Sequence, residues 1–213
     1  MTLNYQHDLG QLYESYAIGD SISFGDSNWY VIKNSSVDED YVTVIKDRVL
    51  TREELGEYAE SNSNTMKYKD IYDTSTSGNY ASITYDKSNV KKFLEESYLS
   101  SLESSSNNEY SNETGATNLK EVDRYKVRLL NVNDLLNNLG YERNYYPQPA
   151  AYYYDPTNNT PTFVYQNFGN SYGYWTMNMS AIREGRQMIL QVAYPYQYFS
   201  VRQVINVYKS SLR

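Results

Sequence analysis

The chain has 213 residues, enough for one full-sized domain with its own core. Its net charge of -7 opposes a phosphate backbone, which excludes nucleic acid as a partner, and no run of about 20 apolar residues is present to span a bilayer. Twenty-six tyrosines against no cysteine remove disulfide and thiolate chemistry and leave side chains suited to contact, each with a ring to bury and a hydroxyl that needs a partner.

The opening Met1 to Asp8 lacks a basic start and an apolar core, so it reads as neither an export signal nor a membrane anchor. Residues 1–15 read as a lead-in and 16–213 as a single domain. Residues 16–24, 28–32 and 41–45 alternate apolar and polar positions around the turn residues Gly25-Asp-Ser and Asn34-Ser-Ser, which predicts a small antiparallel meander. Thr51 with Glu54 three residues on forms a capping box, and Leu50 and Leu55 hold the two staple positions, so a short helix ends near Ala59.

Residues 60–87 are rich in Ser, Asn, Thr, Tyr and Asp and predict a long surface excursion. After Ser88 a second helix carries Val90, Phe93, Leu94, Tyr98 and Leu102 on one buried stripe. Residues 103–118 read as another polar loop. A strand over Tyr125 to Leu130 leads to a third helix, capped by Asn131 with Asp134 at its third position and stopped at Gly140.

All five prolines lie between Pro147 and Pro195, which excludes a helical bundle for this half. It reads as strand and loop, with segments at Phe163-Val-Tyr, Tyr174 to Met177, Met188 to Val192 and a terminal strand over Val201 to Tyr208. The fold class is therefore α+β, with antiparallel sheets, two to three helices and long loops. The early hairpin and the terminal strand are expected in one sheet with the helices after Ser88 and at Val132 packed on it.

Arg128-Leu-Leu-Asn-Val-Asn-Asp-Leu-Leu resembles the Arg-Leu-Pro-Thr-x-x-Glu-Trp helix start of C-type-lectin-like proteins related to formylglycine-generating enzyme. Tyr174-Trp-Thr-Met and Val201-Arg-Gln-Val-Ile-Asn-Val are similar to the late core strand and the closing strand of that superfamily, with Gln203 where proline is usual. The nearest likeness is to surface domains of Gram-positive gut bacteria, some of which carry membrane or pilin-like N-terminal segments. The resemblance implies a C-type-lectin-like fold over 16–213, a surface or extracellular location, and a ligand face in the interval before the closing strand. It implies a framework role for Arg202, paired with a buried carboxylate or with main chain. The Tyr and Asn richness of that interval also resembles the variable faces of retroelement-diversified lectin-like proteins.

Catalysis finds little support in the residues. The cysteines of formylglycine-generating enzymes are missing, and the several histidines of iron-dependent relatives reduce here to His7. Gln148-Pro-Ala and Trp175-Thr-Met-Asn imitate calcium-lectin motifs poorly, since Ala150 offers no oxygen and no Asp follows Asn178. Asp38-Glu-Asp reads as a solvated hairpin tip. No metal and no cofactor are expected, and no serine hydrolase triad or phosphate loop is present.

What remains is a binding surface. Strand alternation through Gln191 to Ser200 puts Tyr194, Tyr196 and Tyr198 on one face while Val192 and Phe199 turn inward. The expected ligand face comprises Tyr174, Asn178, Arg183, Tyr194, Tyr196, Gln197 and Tyr198, flanked by Tyr152, Tyr153 and Tyr154, while Trp175 belongs to the core. The function this predicts is a non-catalytic module, adhesin-like or receptor-like, that binds a surface protein or glycan. The alternatives are a phage receptor-binding protein, a structural subunit of a surface filament and, behind these, a glycan-active enzyme.

Overall fold

The computed structural model describes residues 14–61, 63–68, 84–105, 118–144, 151–154, 161–164, 173–178, 180–183, 191–192 and 197–212. Its centre is a five-stranded antiparallel sheet. Strands β1 (Ser21–Phe24), β2 (Ser27–Val31) and β3 (Tyr41–Lys46) form the predicted meander, with Gly25 at φ +57° turning the chain between the first two. A short helix, α1 (Arg52–Leu55), follows β3, and strand β4 (Met66–Lys67) follows it. Helix α2 (Asn89–Phe93), the π-helical turn Leu94–Tyr98 and helix α3 (Leu99–Ser105) run on without a break. The remaining strands are β5 (Val127–Arg128), β6 (Tyr141–Asn144), β7 (Ala151–Tyr154), β8 (Gly173–Trp175), β9 (Ser180–Arg183), β10 (Gln191–Val192), β11 (Tyr198–Phe199) and β12 (Val204–Tyr208). The central order is β1-β2-β3-β12-β5, so the late strand β12 is inserted between β3 and β5.

Side-chain alternation divides the sheet into two packing faces. Trp29, Val31, Val42, Val44, Val127, Ile205 and Val207 face one cluster, into which α2 and the π-helical turn insert Val90, Phe93, Leu94 and Tyr98. Ile45 and Val204 face the other, with Leu130, with Leu135 of a third helical segment that contains the π-helical turn Asp134–Asn138, and with Leu139 just after it. The register pairs like with like, setting Ile205 beside Val44 and Asn206 beside Thr43, whose hydroxyl donates to Asn206 Oδ1 at 2.9 Å. A slip by one residue would carry every inward side chain to the opposite face.

The predicted caps are present. Thr51 and Glu54 close their box reciprocally, and Asn131 and Asp134 do the same, each main-chain N–H donating to the other residue's side chain at 2.8 Å. Ser88 caps α2 through the Lys91 amide, and Gly140 at φ +70° ends the third helical segment. The stripe Val90, Phe93, Leu94, Tyr98 and Leu102 is buried throughout.

Two expectations need correction. Within 60–87, Met66 and Tyr68 are core residues: Trp175 Nε1 donates to the Met66 carbonyl and Tyr68 OH to the Met177 carbonyl, both at 2.8 Å. At the start of 103–118, the helix continues through Ser105. The remainder of the surface-excursion and polar-loop expectations falls outside the described residues. At the hairpin tip Glu39 faces Lys33 at 3.6 Å and Asp40 faces Lys120 at 2.6 Å, so this acidic run is held by ion pairs.

Candidate functional site

The expected ligand face divides under the structure. Tyr198 stands outward with 43% of its surface exposed, while Phe199 beside it is buried in edge-to-face contact with Trp175, as alternation along β11 requires. β11 pairs with β4, which sets Lys67 opposite Tyr198 with its ammonium 5.4 Å from the ring centre. Gln197 is half-buried just before this strand, and Asn178 is exposed in the turn after β8. The Asn178 side chain accepts from the Val132 N–H at 3.2 Å, so it also ties that turn to the start of a helical segment.

Tyr174 departs from the expectation. It is fully buried on β8, its hydroxyl donates to the Val164 carbonyl at 2.8 Å, and burial pushes its pKa up to about 12. The cause lies in the placement of β8, whose Trp175 enters one apolar cluster and whose Tyr174 enters the other. A strand covered on both faces offers neither residue to a ligand. Trp175 is buried as expected.

Arg183 lies on β9, opposite Gly173, and Tyr152, Tyr153 and Tyr154 lie on β7, opposite Arg143, Glu142 and Tyr141; for these four the main chain alone is described. The same holds for Val192 on β10. Tyr194, Tyr196, Gln148, Ala150 and His7 lie outside the described residues.

Arg202 is wholly buried, and its three donor nitrogens are spent on main chain. Nε donates to the Lys46 carbonyl at 2.7 Å, Nη1 to Phe163 at 2.5 Å and Nη2 to Asp47 at 3.1 Å. Its guanidinium lies 5.5 Å from the centre of the Tyr174 ring. Of the two partners the resemblance implies, main chain is the one this arginine has.

A polar centre that sequence reasoning missed lies at the end of β3. Lys46 is buried, donates to Glu54 Oε1 at 2.9 Å and to Tyr98 OH at 3.3 Å, and sits over the rings of Trp29 and Tyr98. Arg48 grips the same carboxylate with both terminal nitrogens, at 2.6 and 3.1 Å, while the Thr51 N–H adds a fourth donor at 2.7 Å. Burial alone would raise the Glu54 pKa, but Arg48, the Thr51 amide and Lys46 outweigh it and bring it to about 2. Burial lowers the pKa of Lys46 against the pull of Glu54. With all four donors in place, Glu54 is a fixed anion and has no proton to give near neutral pH. The signal was present in the sequence, because alternation through Val42 and Val44 points Lys46 inward, where a charged group demands a partner.

Beside this cluster lies a cleft of about 320 Å3 between the β1–β2 turn and the helix that carries Tyr98. Among the described residues no group of three or more His, Cys, Asp or Glu is placed to hold a metal ion, and no helix is long and apolar enough to cross a membrane. Comparison with protein-family models, characterised proteins and solved structures gives no match to this chain.

Proposed function

We propose that this protein is a non-catalytic ligand-binding module of C-type-lectin-like architecture, displayed at a bacterial surface, that engages a protein or glycan through a tyrosine-rich face around Tyr198. The observation that carries this reading is the pairing of an exposed Tyr198 with a buried Phe199 on a strand anchored against Trp175. A ring held outward on rigid main chain offers apolar area at little entropic cost, and its hydroxyl sets orientation. Lys67, Gln197 and Asn178 supply polar groups on the neighbouring strand and turn. Tyr194, Tyr196, Arg183 and Tyr152 to Tyr154 remain members of the proposed face by sequence, and Tyr174 is removed from it.

The saturated Glu54 fits a role in recognition rather than in proton transfer. The C-type-lectin-like architecture is supported by the helix start at Arg128 to Leu136 and the closing strand at Val201 to Val207, which resemble those of that superfamily.

The test is a triple change, Tyr194, Tyr196 and Tyr198 each to serine, in a protein screened for partners by surface display and on a glycan array. The expected outcome is cooperative unfolding close to that of the parent together with loss of the binding the parent shows. A triple variant that folds and binds as the parent does would place the face elsewhere. One that fails to fold would assign the rings to the core. Robust turnover of a glycan by the parent, abolished by a single carboxylate change, would overturn the non-catalytic reading.

A further inference from the structure

The cleft beside Lys46 and Glu54 shares no residue with the face around Tyr198. Its volume of about 320 Å3 falls at the lower end of the roughly 300–1,000 Å3 typical of small-molecule sites. A second hollow of about 230 Å3 adjoins it and has Asp26, Ser27 and Arg48 in common with it.

The wall chemistry restricts what fits. Lys46 and Arg48 face Glu54 and Asp26, so the fixed charges of the main cleft cancel, and a ligand with net charge of either sign gains little over a neutral one. Glu54 is spent on its four donors, whereas the Asp26 carboxylate and the hydroxyls of Ser27, Ser97 and Ser101 make no hydrogen bond with another described residue. Three hydroxyls that can donate or accept, with one carboxylate that accepts, therefore surround a single hollow.

The backbone around them is anchored. Tyr98 is buried between Phe93, Lys46 and Gln203, and it ends the π-helical turn, in which the Leu99 N–H reaches the Leu94 carbonyl five residues back. Turns of this kind are rare and concentrate at functional sites. Here the turn sets Ser97, Tyr98 and Ser101 of one helix against the cleft.

We propose that this cleft is a second binding site, separate from the tyrosine-rich face, for one uncharged sugar ring, with Asp26, Ser27, Ser97 and Ser101 bonding the ring hydroxyls and the Lys46–Glu54–Arg48 cluster holding the wall rigid. A neutral polyol matches groups of both donor and acceptor kind that no other described residue engages, and Asp26 is the one carboxylate among them, with Glu54 held by its four donors.

The experiment follows the backbone amides of the whole chain by NMR during titration with glucose, galactose, mannose, N-acetylglucosamine and N-acetylgalactosamine, with glucuronate and acetate as charged comparators. At least one neutral sugar is expected to shift Asp26, Ser27, Ser97 and Ser101 in a saturable way. Asp26→Asn and the double change Ser97→Ala with Ser101→Ala are each expected to weaken that binding about tenfold, and Tyr198→Ser to leave it unchanged. All three act on exposed groups, and a melting curve matching the parent certifies each variant as folded. No cleft shift with any neutral sugar overturns the proposal. So does tighter binding of glucuronate or acetate at the cleft, which would make it an anion site, and so do shifts confined to the neighbourhood of Tyr198, which would return the sugar to the tyrosine-rich face. If the tyrosine face fails its own test while the cleft amides still shift, the two readings are separated.

Discussion

Lys46 and Arg202 are joined through the main chain, since Arg202 Nε donates to the Lys46 carbonyl, yet their side chains leave the sheet on opposite faces. On one face Lys46 meets a carboxylate, the rings of Trp29 and Tyr98 and a cleft lined in part by Arg48, whose side chain is 43% exposed. On the other, Arg202 meets three carbonyls and the Tyr174 ring, and solvent reaches none of it. Both cations are buried, but their partners differ in kind. Carbonyls hold a guanidinium in place without offering anything to a visitor, whereas an ion cluster at a cleft fixes charge where a ligand can approach. Burial of charge alone therefore marks framework as readily as it marks a site.

The strongest way to break the contrast is Arg202→Met, which leaves the carbonyls of Lys46, Asp47 and Phe163 without their donor in the interior. A loss of about 3–5 kcal/mol in urea unfolding is expected. Arg202→Lys is expected to recover little of it, because one ammonium cannot span three acceptors set around a planar fork. Next comes Glu54→Gln, which leaves the buried Lys46 without its anion and is expected to cost about 2–3 kcal/mol, tempered by the partial exposure of Glu54.

The same carboxylate sets a pH dependence. Its folded pKa of about 2 lies below its ordinary value of 4.5, so its contribution is fully present above about pH 5 and is lost as pH falls towards 2. Unfolding followed across that window is expected to show a decline of about 2 kcal/mol in the parent that Glu54→Gln lacks. Thr51→Ala is smaller, at about 1 kcal/mol, since it removes one cap bond at an exposed helix start. Tyr198→Ser is smallest for stability, within about 0.5 kcal/mol, because the ring stands outward. A larger loss would show that Tyr198 packs as framework.

What was legible in the sequence follows from range. The reciprocal caps at Thr51 with Glu54 and at Asn131 with Asp134 depend on residues three apart, and the stripe from Val90 to Leu102 depends on helical period, so both could be read directly. The pairing of Arg128 with Asp134 could not, although only six residues separate them, because the cap alone accounts for Asp134 and nothing local says that one carboxylate serves both. Glu54 hides the same double duty. The burial of Tyr174 is not legible locally, because alternation reports which side a residue faces, and on a strand buried on both sides it does not report exposure. Tyr198 with Phe199 obeyed the same rule on a strand with one open face.

The position of β12 has a consequence for how the molecule assembles. The strand that joins the early meander to β5 lies at residues 204–208, and the hydrogen bond that its Asn206 accepts from the Thr43 hydroxyl spans 163 residues of sequence. Closing so long a loop must precede most of the burial that rewards it, which places this chain among slow folders governed by topology. During synthesis β3 presents its unpaired edge, with Val42 and Val44, until the 163 residues that separate Thr43 from Asn206 have emerged. For that interval the nascent protein depends on whatever keeps a bare strand from finding a neighbour.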